Sequence, residues 1–377
     1  MSAACRTTGH LVIGGGLAGS MLAIRLAAAG REVTLLEKER GPHHKVCGEF
    51  LSGEAVEYLR GAGAEPLALG AATIRTVRLS SGKRIVEAPL PFTALSLSRR
   101  VLDEALLARA SACGCRVERG AFVQSLEAGD GMWVARLRDG ESWRAQTTFL
   151  ASGKHDVAGM ERSATTQSDL VGFKLHWRLA SAQTEAMRDA MELFLFTGGY
   201  GGLSQVENDA ANLCLVVGRH ELHQKGGWAA LLASIKNENR HVAERLEGAM
   251  ALWDRPLAIF PIPYGYFAAR SDTLWRLGDQ AAVIPSFTGD GMSIALHSGA
   301  LAAQMYLAGR SAGDFQTTLN RHLGRGMWLS TRISKAMISG AGRSLAPAVL
   351  ALLPHAMGGI ARWTRIPEHA LAADAAR

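Results

Sequence analysis

A glycine-rich turn between a short apolar strand and an apolar helix constrains the fold of this chain most. His10 to Ile13 predicts a buried strand, the run GGGLAG from Gly14 to Gly19 follows it, and Leu17 to Ala29 predicts a helix with small residues facing a sheet. Gly30 ends that helix, and Glu32 to Glu37 predicts the next strand. This order predicts a βαβ unit of an α/β fold.

The glycine spacing predicts a dinucleotide site at this turn. Gly14 allows the tight turn, Gly16 lets a pyrophosphate approach the backbone, and Gly19 lets helix and strand pack closely. The helix start at Leu17 and Ala18 offers unpaired N–H groups and a positive dipole to the phosphates.

An acidic residue ends the second strand. Glu37 follows Gly19 at the spacing at which a carboxylate accepts the ribose hydroxyls and repels a 2′-phosphate, which disfavours NADP. We expect Lys38 and Val123 to lie at the cofactor as well. These features do not separate FAD from NAD.

A second motif near residue 280 favours FAD. Gly278-Asp279 ends an apolar strand, and Pro285 leads into a Gly-x-Gly loop that opens a helix predicted from Ser293 to Ala308. This arrangement resembles the second FAD motif of the glutathione-reductase-like flavoproteins of the p-hydroxybenzoate hydroxylase type. The resemblance implies that Asp279 binds the ribityl chain or phosphate. It also implies that the Pro285 loop, with Gly289, Gly291 and Met292, lies beside the flavin pyrimidine.

Two other segments extend the resemblance, which covers about residues 10 to 310. Arg99-Arg100-Val101-Leu102-Asp103 resembles a helix start at which that family places an arginine near FAD, which implies Arg99. The octet from Lys45 to Ser52 (KVCGEFLS) resembles the segment of the geranylgeranyl-reductase branch that lies along the isoalloxazine, which implies Lys45, Cys47 and Gly48. Ser152 replaces the aspartate of the family's Ala-Asp-Gly, so we carry over only the backbone near Gly153.

The fold class expected is therefore α/β: a glutathione-reductase-like Rossmann FAD domain in three ββα layers, an α+β substrate domain on a mostly antiparallel sheet, and a helical C-terminus. We expect residues 1–75, 97–170 and 267–310 to form the discontinuous FAD domain and residues 76–96 and 171–266 the substrate domain. Residues 311–377 would form the helical segment. In the first domain, Ser98 is predicted to cap a helix through Ala112.

Composition excludes several classes of protein. The net charge of +7 comes without a nucleic-acid-binding module, so we expect no nucleic-acid partner. Five cysteines without CxxC spacing disfavour a disulfide framework and a structural zinc site, and we expect no metal. With no signal peptide pattern, the expected location is the cytoplasm. The amphipathic run from Ser330 to Trp363 keeps peripheral membrane contact open, and oligomeric state is undetermined.

Two reactions fit such a site, with NAD(P)H as transient electron donor because no second GxGxxG is present. Hydroxylation of an aromatic or polyketide-like molecule is placed slightly ahead of hydride transfer to a carbon–carbon double bond, which would suit an isoprenoid substrate. A non-catalytic FAD-binding redox sensor is a lower alternative, and halogenation is disfavoured because the Trp-x-Trp-x-Ile-Pro segment is absent. The candidate catalytic residues are Cys47, Glu49 and Asp290, whereas His155 and His176 are more typical of structural histidines.

Overall fold

A computed structural model describes residues 5–165, 167–340, 358–359 and 362–371. Its helices are α1 Leu17–Ala28, α2 Gly53–Gly61, α3 Arg99–Ala112, α4 Ser181–Ala186, α5 Arg219–Lys225, α6 Trp228–Glu238, α7 Arg240–Arg245, α8 Gly291–Leu307, α9 Ala312–Ile338 and α10 Glu368–Leu371. Its strands are β1 Cys5–Ile13, β2 Val33–Glu37, β3 Phe50–Leu51, β4 Ala72–Ser81, β5 Arg84–Ser96, β6 Arg116–Arg119, β7 Val123–Gly129, β8 Met132–Leu137, β9 Ser142–Leu150, β10 Leu170–Arg178, β11 Ala190–Phe196, β12 Gly199–Gln205, β13 Ala211–Gly218, β14 Met250–Ala251, β15 Leu257–Ile259, β16 Tyr266–Phe267, β17 Leu274–Arg276 and β18 Ala282–Val283.

The first sheet has seven strands in the order β6-β2-β1-β9-β8-β7, and β17 also pairs with β9. Strands β6, β2, β1, β9 and β17 are parallel, whereas β7, β8 and β9 form an antiparallel meander. Because β17 pairs in parallel with β9, the chain returns to the first sheet after residue 273, as the sequence predicts.

The alternation of side chains along β1 produces three layers. Val12 packs on one side with α1, α3 and α8, whereas Leu11 and Ile13 pack on the other with Trp133 and Ala135 of the meander. Alternate residues of a strand point to opposite faces, so the apolar end of β1 contributes to two cores. The predicted three-layer ββα domain is confirmed.

The second sheet has nine strands in the order β14-β10-β13-β12-β11-β4-β5-β3, with β15 also paired to β10. All of its pairs are antiparallel except β11 with β4, so the expected mostly antiparallel sheet is confirmed. One face packs Leu213 and Leu215 against Leu231 and Ile235 of α6. On the opposite face Val216 belongs to the cluster that approaches α9.

Strand and helix limits differ most where tertiary pairing extends an element. Strand β9 begins as early as Ser142, because its first half pairs with β8. Helix α9 has 27 residues and a capping box at Ser311. The first part of the amphipathic run predicted from Ser330 to Trp363 is helical, because it coincides with the end of α9 as far as Ile338. Residues 341–357 and 360–361 of that run lie outside the described residues. Strand β3, Phe50–Leu51, belongs to the second sheet, although these residues lie within the range predicted for the FAD domain. The domain boundaries themselves stay a prediction.

Candidate cofactor and active site

A cavity of about 770 Å³ lies between the carboxyl edge of the parallel strands and one face of the second sheet. In open α/β sheets, ligands bind at this edge, where strands lead into loops and helix starts. The cofactor residues named from the sequence that line the cavity are Gly14, Gly16, Leu17, Ala18, Glu37, Lys38, Lys45, Cys47, Gly48, Arg99, Val123, Gly153, Asp279, Gly289, Gly291 and Met292.

The glycine turn has the shape that a pyrophosphate requires. Gly14 has φ of +106°, and a Cβ there would collide with the Ala151 carbonyl, while a Cβ on Gly19 would collide with the Gly14 carbonyl. Gly16 instead opens toward two cations: a Cβ built on it would lie 3.3 Å from Arg99 Nη2 and 3.8 Å from Lys45 Nζ. The start of α1 therefore offers N–H groups and nearby positive charge to an anion.

Asp103 holds these two cations in place. Arg99 makes a bidentate contact with the Asp103 carboxylate, at 2.8 and 2.9 Å, and Lys45 Nζ lies 2.8 Å from Asp103 Oδ2. Burial by itself would raise the pKa of Asp103, but Arg99 and Lys45 hold it below its usual range. Arg99 is thus a partly buried, oriented side chain rather than a solvated helix-end charge.

Glu37 is buried at the end of β2 and braces the turn. Its Oε2 accepts the Gly15 N–H at 2.8 Å, and its Oε1 accepts the Glu39 N–H at 2.9 Å. A carboxylate has about four lone-pair sites, so acceptor capacity remains for ribose hydroxyls. The ribose role of Glu37 stays a prediction.

The second motif meets the first in space. Lys154 Nζ lies 3.1 Å from Asp279 Oδ2 and, despite burial, holds the pKa of that carboxyl below its usual range. Gly289 has φ of +73° and ends a turn that begins after Pro285, and α8 starts at Gly291 beside the cavity. Lys154 directly follows Ser152 and Gly153, where the sequence differs from the family's Ala-Asp-Gly. The sequence analysis therefore identified this segment but not Lys154 itself.

Asp290 is buried in an ion pair and does not face the cavity. It is buried directly before α8, its carboxylate lies 2.6 Å from Arg365 Nη1, and it is not among the side chains lining the cavity. Burial raises its pKa, and Arg365 opposes that rise. The geometry favours a structural link between α8 and the C-terminal segment, and a catalytic role for Asp290 stays a prediction.

The octet from Lys45 to Ser52 crosses the cavity wall and is fixed by Glu49. This glutamate has φ of +58°, is fully buried, and accepts from the Arg99 backbone N–H at 2.8 Å. Its other donors are the Lys174 ammonium, in close ion-pair contact, and His176 Nε2 at 2.8 Å. Burial opposes ionisation, but Lys174 and His176 hold the pKa of Glu49 below its usual value. A carboxylate engaged by three donors positions the octet, and a catalytic role for Glu49 stays a prediction.

Sequence reasoning missed Lys174, although a signal existed. Lys174 and His176 are two residues apart in the mostly apolar strand β10, so they share one face and point together at Glu49. Ligand atoms of His44, Glu49 and His176 lie within 4.8 Å of one another, a set of types that binds divalent metals. The Lys174 ammonium already occupies the Glu49 carboxylate, so this cluster is organised as an ion pair.

Cys47 contacts groups that orient it. Its Sγ accepts the Glu49 N–H at 3.3 Å, the Arg99 guanidinium lies against it, and its carbonyl accepts from Asn212 Nδ2 at 3.1 Å. Cys214 of β13 also lines the cavity, but burial raises the pKa of its thiol to about 12. A thiol with such a pKa supplies almost no thiolate at neutral pH, which disfavours a dithiol relay through Cys214.

Beyond the octet the cavity becomes apolar. The side chains from β4, β11, β13, β15 and α9 that line this arm are Val77, Leu79, Met191, Leu193, Val216, Leu257, Ile259, Ile333 and Met337. Tyr264 and Ser286 also line the cavity: Tyr264 donates to Ser286 Oγ at 2.7 Å, and Ser286 donates to the Tyr200 hydroxyl at 3.4 Å. Burial raises the pKa of Tyr264 well above its usual value, so its hydroxyl stays protonated. Sequence analysis did not find these tyrosines, because an isolated Tyr in a strand region is indistinguishable from a core residue.

Comparison with known proteins agrees with the cofactor geometry. A protein-family model described as an FAD binding domain matches residues 7–151. The menaquinone reductase of Mycolicibacterium smegmatis is 23% identical over 347 residues, spanning 86% of this chain and 83% of that protein. FixC of Escherichia coli K12 is 25% identical over 345 residues, spanning 81% and 78%.

Solved structures share the fold over nearly the whole chain. The myxobacterial chondrochloren halogenase CndH has a TM-score of 0.75 at 19% identity, covering 97% of this chain and 95% of that one. PqsL of P. aeruginosa in complex with 2-aminobenzoylacetate has a TM-score of 0.69 at 18% identity, covering 92% and 100%. The FAD binding domain, together with these similarities, indicates an FAD-dependent oxidoreductase.

As an FAD-dependent oxidoreductase, the chain has residues that fit the cofactor at both ends of the cavity. The start of α1, with Arg99 and Lys45, would hold the diphosphate, and Asp279 with the loop before α8 would hold the ribityl and flavin end. Of the residues named from the sequence, Gly19 packs behind the turn and Pro285 begins the loop without lining the cavity. The role of each residue toward bound FAD stays a prediction.

Proposed function

We propose that this FAD-dependent oxidoreductase reduces a carbon–carbon double bond in a long, largely apolar, isoprenoid-like substrate, with NAD(P)H as the electron donor. The observation that carries this proposal is the apolar arm of the cavity, which runs from the octet along the second sheet to α9. Sequence analysis places hydroxylation slightly ahead. The length and apolar lining of the arm lead us to reverse that order.

Two kinds of similarity support the same reaction class. The octet resembles the geranylgeranyl-reductase branch, and menaquinone reductases are relatives over 86% of the chain. A menaquinone carries an isoprenoid tail that an apolar arm would accommodate through the hydrophobic effect, without specific polar contacts.

The residues of this chain would have two roles in the reaction: some would position the substrate, and others would supply a proton. Bound FAD supplies the carrier that passes a hydride from NAD(P)H to one carbon of the double bond. The apolar arm orients the chain of the substrate and excludes water, and the Glu49 cluster fixes the octet beside it. The second carbon then needs a proton. We assign it to the Tyr264 hydroxyl, which would turn from Ser286 toward the substrate; the phenolate left behind would accept a proton back through Ser286, with solvent as the final source.

The test is an anaerobic turnover assay of the holoprotein with NADH or NADPH and menaquinone, geranylgeraniol or a panel of phenols. From geranylgeraniol we expect a product heavier by two hydrogens, and from menaquinone we expect two added hydrogens that remain in the side chain after the ring is reoxidised in air. Aerobic reactions that yield a product heavier by one oxygen from a phenol would establish hydroxylation and refute the proposal.

Tyr264→Phe should lower turnover by about 10²-fold or more, the range of general acid catalysis, while leaving FAD bound. Tyr266→Phe is the matched control, because Tyr266 is also buried but does not line the cavity. Equal turnover in the two variants would exclude Tyr264 as proton donor and leave the reaction class itself intact.

A further inference from the structure

The positive charge of this protein is concentrated in one segment. Between residues 315 and 367 the sequence has seven Arg or Lys and no Asp or Glu. The charge of that segment, +7, equals the formal net charge of the whole chain, so the remaining residues balance one another. Such an asymmetry indicates a partner or surface of opposite sign.

Part of this charge forms an exposed stripe on α9. Arg321, Arg325, Trp328 and Arg332 are exposed and follow one another at intervals of four, three and four residues, which places them on one side of a helix. Trp363 of the C-terminal segment joins them, since the Arg325 guanidinium lies 3.7 Å from the centre of its ring. We call these five residues the basic tryptophan face.

The two tryptophans of this face are unusually exposed for such large apolar side chains. Trp328 is 58% and Trp363 is 56% exposed. Arg332 lies 4.4 Å from the centre of the Trp328 ring, so each indole carries a cation. Tryptophan is enriched at the level of lipid headgroups, where its ring meets both apolar and polar surroundings, and arginine binds phosphate there.

The basic tryptophan face lies beside the cavity. On the same helix, Ile333 and Met337 line the apolar arm, and Ala336 both lines it and is exposed. The cavity therefore comes to the surface next to the face. No helix among the described residues is long and apolar enough to span a bilayer.

We propose that the basic tryptophan face docks this protein on the surface of an anionic lipid bilayer. Its arginines would contact lipid phosphates, and its two indoles would enter the headgroup layer. The benefit of docking rests on the proposed function, because an isoprenoid-like substrate dissolved in the bilayer could then reach the apolar arm at Ala336. Binding to lipid is a separate property and can be measured without turnover.

The test is flotation of the FAD-loaded protein with vesicles of phosphatidylcholine alone or mixed with phosphatidylglycerol, at low and at high salt. We expect binding to the mixed vesicles that weakens as salt increases. Arg321→Gln/Arg332→Gln should weaken it about 25-fold, since each arginine near an anionic surface contributes about fivefold. Lys83→Gln/Arg84→Gln removes the same charge from an exposed hairpin and should bind as the unchanged protein does.

Trp328→Ala tests the indole contribution and should also weaken binding, whereas Leu252→Ala, which removes another exposed apolar side chain, should not. Failure to bind the mixed vesicles, equal binding to both kinds of vesicle, or equal losses in the test and control variants would each overturn the proposal. Binding to neither vesicle would favour an acidic protein as the partner. The vesicles contain no isoprenoid, so these outcomes do not depend on which reaction the site performs.

Discussion

The ion pair between Glu49 and Lys174 offers the sharpest test of how the octet is held. Both side chains are fully buried, and Glu49 receives two further donors. Glu49→Gln keeps an acceptor for these donors but leaves the Lys174 ammonium buried without its counter-charge. Removing one partner of a buried pair costs about 3–5 kcal/mol, so we expect a loss of that size in the free energy of unfolding.

The double variant gives the decisive measurement. Glu49→Gln/Lys174→Met removes both charges, and replacing a buried pair by neutral groups of similar volume is often nearly neutral. The double variant should therefore lose at least about 2 kcal/mol less than the sum of the two single losses. Urea unfolding followed by circular dichroism, with saturating FAD in every sample, measures all three.

Additive losses would show that the two charges do not depend on each other and would refute the reasoning. Glu244 and Arg240 form a matched control, because they make an exposed ion pair at 2.7 Å. Glu244→Gln and Arg240→Met should change stability little, since solvent and salt screen such a pair.

The same pair predicts a pH dependence with a definite sign. The pKa of Glu49 is lower in the folded protein than its usual value, because Lys174 and His176 outweigh the effect of burial. A carboxyl of this kind stabilises the fold above its unfolded pKa of about 4.3, and that stabilisation is lost as pH falls toward the folded pKa. At neutral pH the contribution is complete, so the variants are best compared there.

Two further predictions concern FAD retention at the glycine turn and the acid stability that depends on a buried histidine. Gly16→Val should give a folded protein without FAD, because φ of −77° suits valine while the new side chain fills the space facing Arg99. The flavin absorbance per protein measures this loss, and Gly53→Ala is the control, because no atom lies near its Cβ. Retained FAD in Gly16→Val would contradict the placement of the cofactor. Burial lowers the pKa of His297 to about 3, so stability should fall as pH drops from 6.5 toward 3, by about 2 kcal/mol near pH 5. His297→Gln should flatten this acid limb in melting experiments, whereas His220→Gln, at an exposed site, should leave it unchanged; equal slopes would reject the assignment.

Local pattern was sufficient for the cofactor half of the molecule. The βαβ unit carries its own signals: the helix predicted from Leu17 to Ala29 ends one residue earlier, and Ser98 accepts the Val101 N–H as a helix cap does. The end of β1 from Leu11 to Ile13 is buried on both faces, so it appears in the sequence as a continuous apolar run. Sequence motifs at both ends of this domain predicted residues that the fold brings to one cavity.

The substrate half was less accessible to the same reasoning. Strands β4 and β5 form the longest hairpin, yet Pro89 and Pro91 within β5 break the usual strand pattern. The polar groups there act through partners far apart in sequence. Glu49 and Lys174 are separated by 125 residues, and Tyr264 and Tyr200 meet through Ser286. Single-residue signals of this kind become meaningful after the strand register is known.

The Arg365 contact with Asp290 has a consequence for how the protein is made. The glycine turn is synthesised well before Thr364 and Arg365, which line the same cavity. Domains commonly begin to fold from the N-terminus during synthesis, so the βαβ unit can form long before its cavity has a complete wall. A chain truncated before Thr364 would thus keep the dinucleotide motif intact while its cavity stays open on that side.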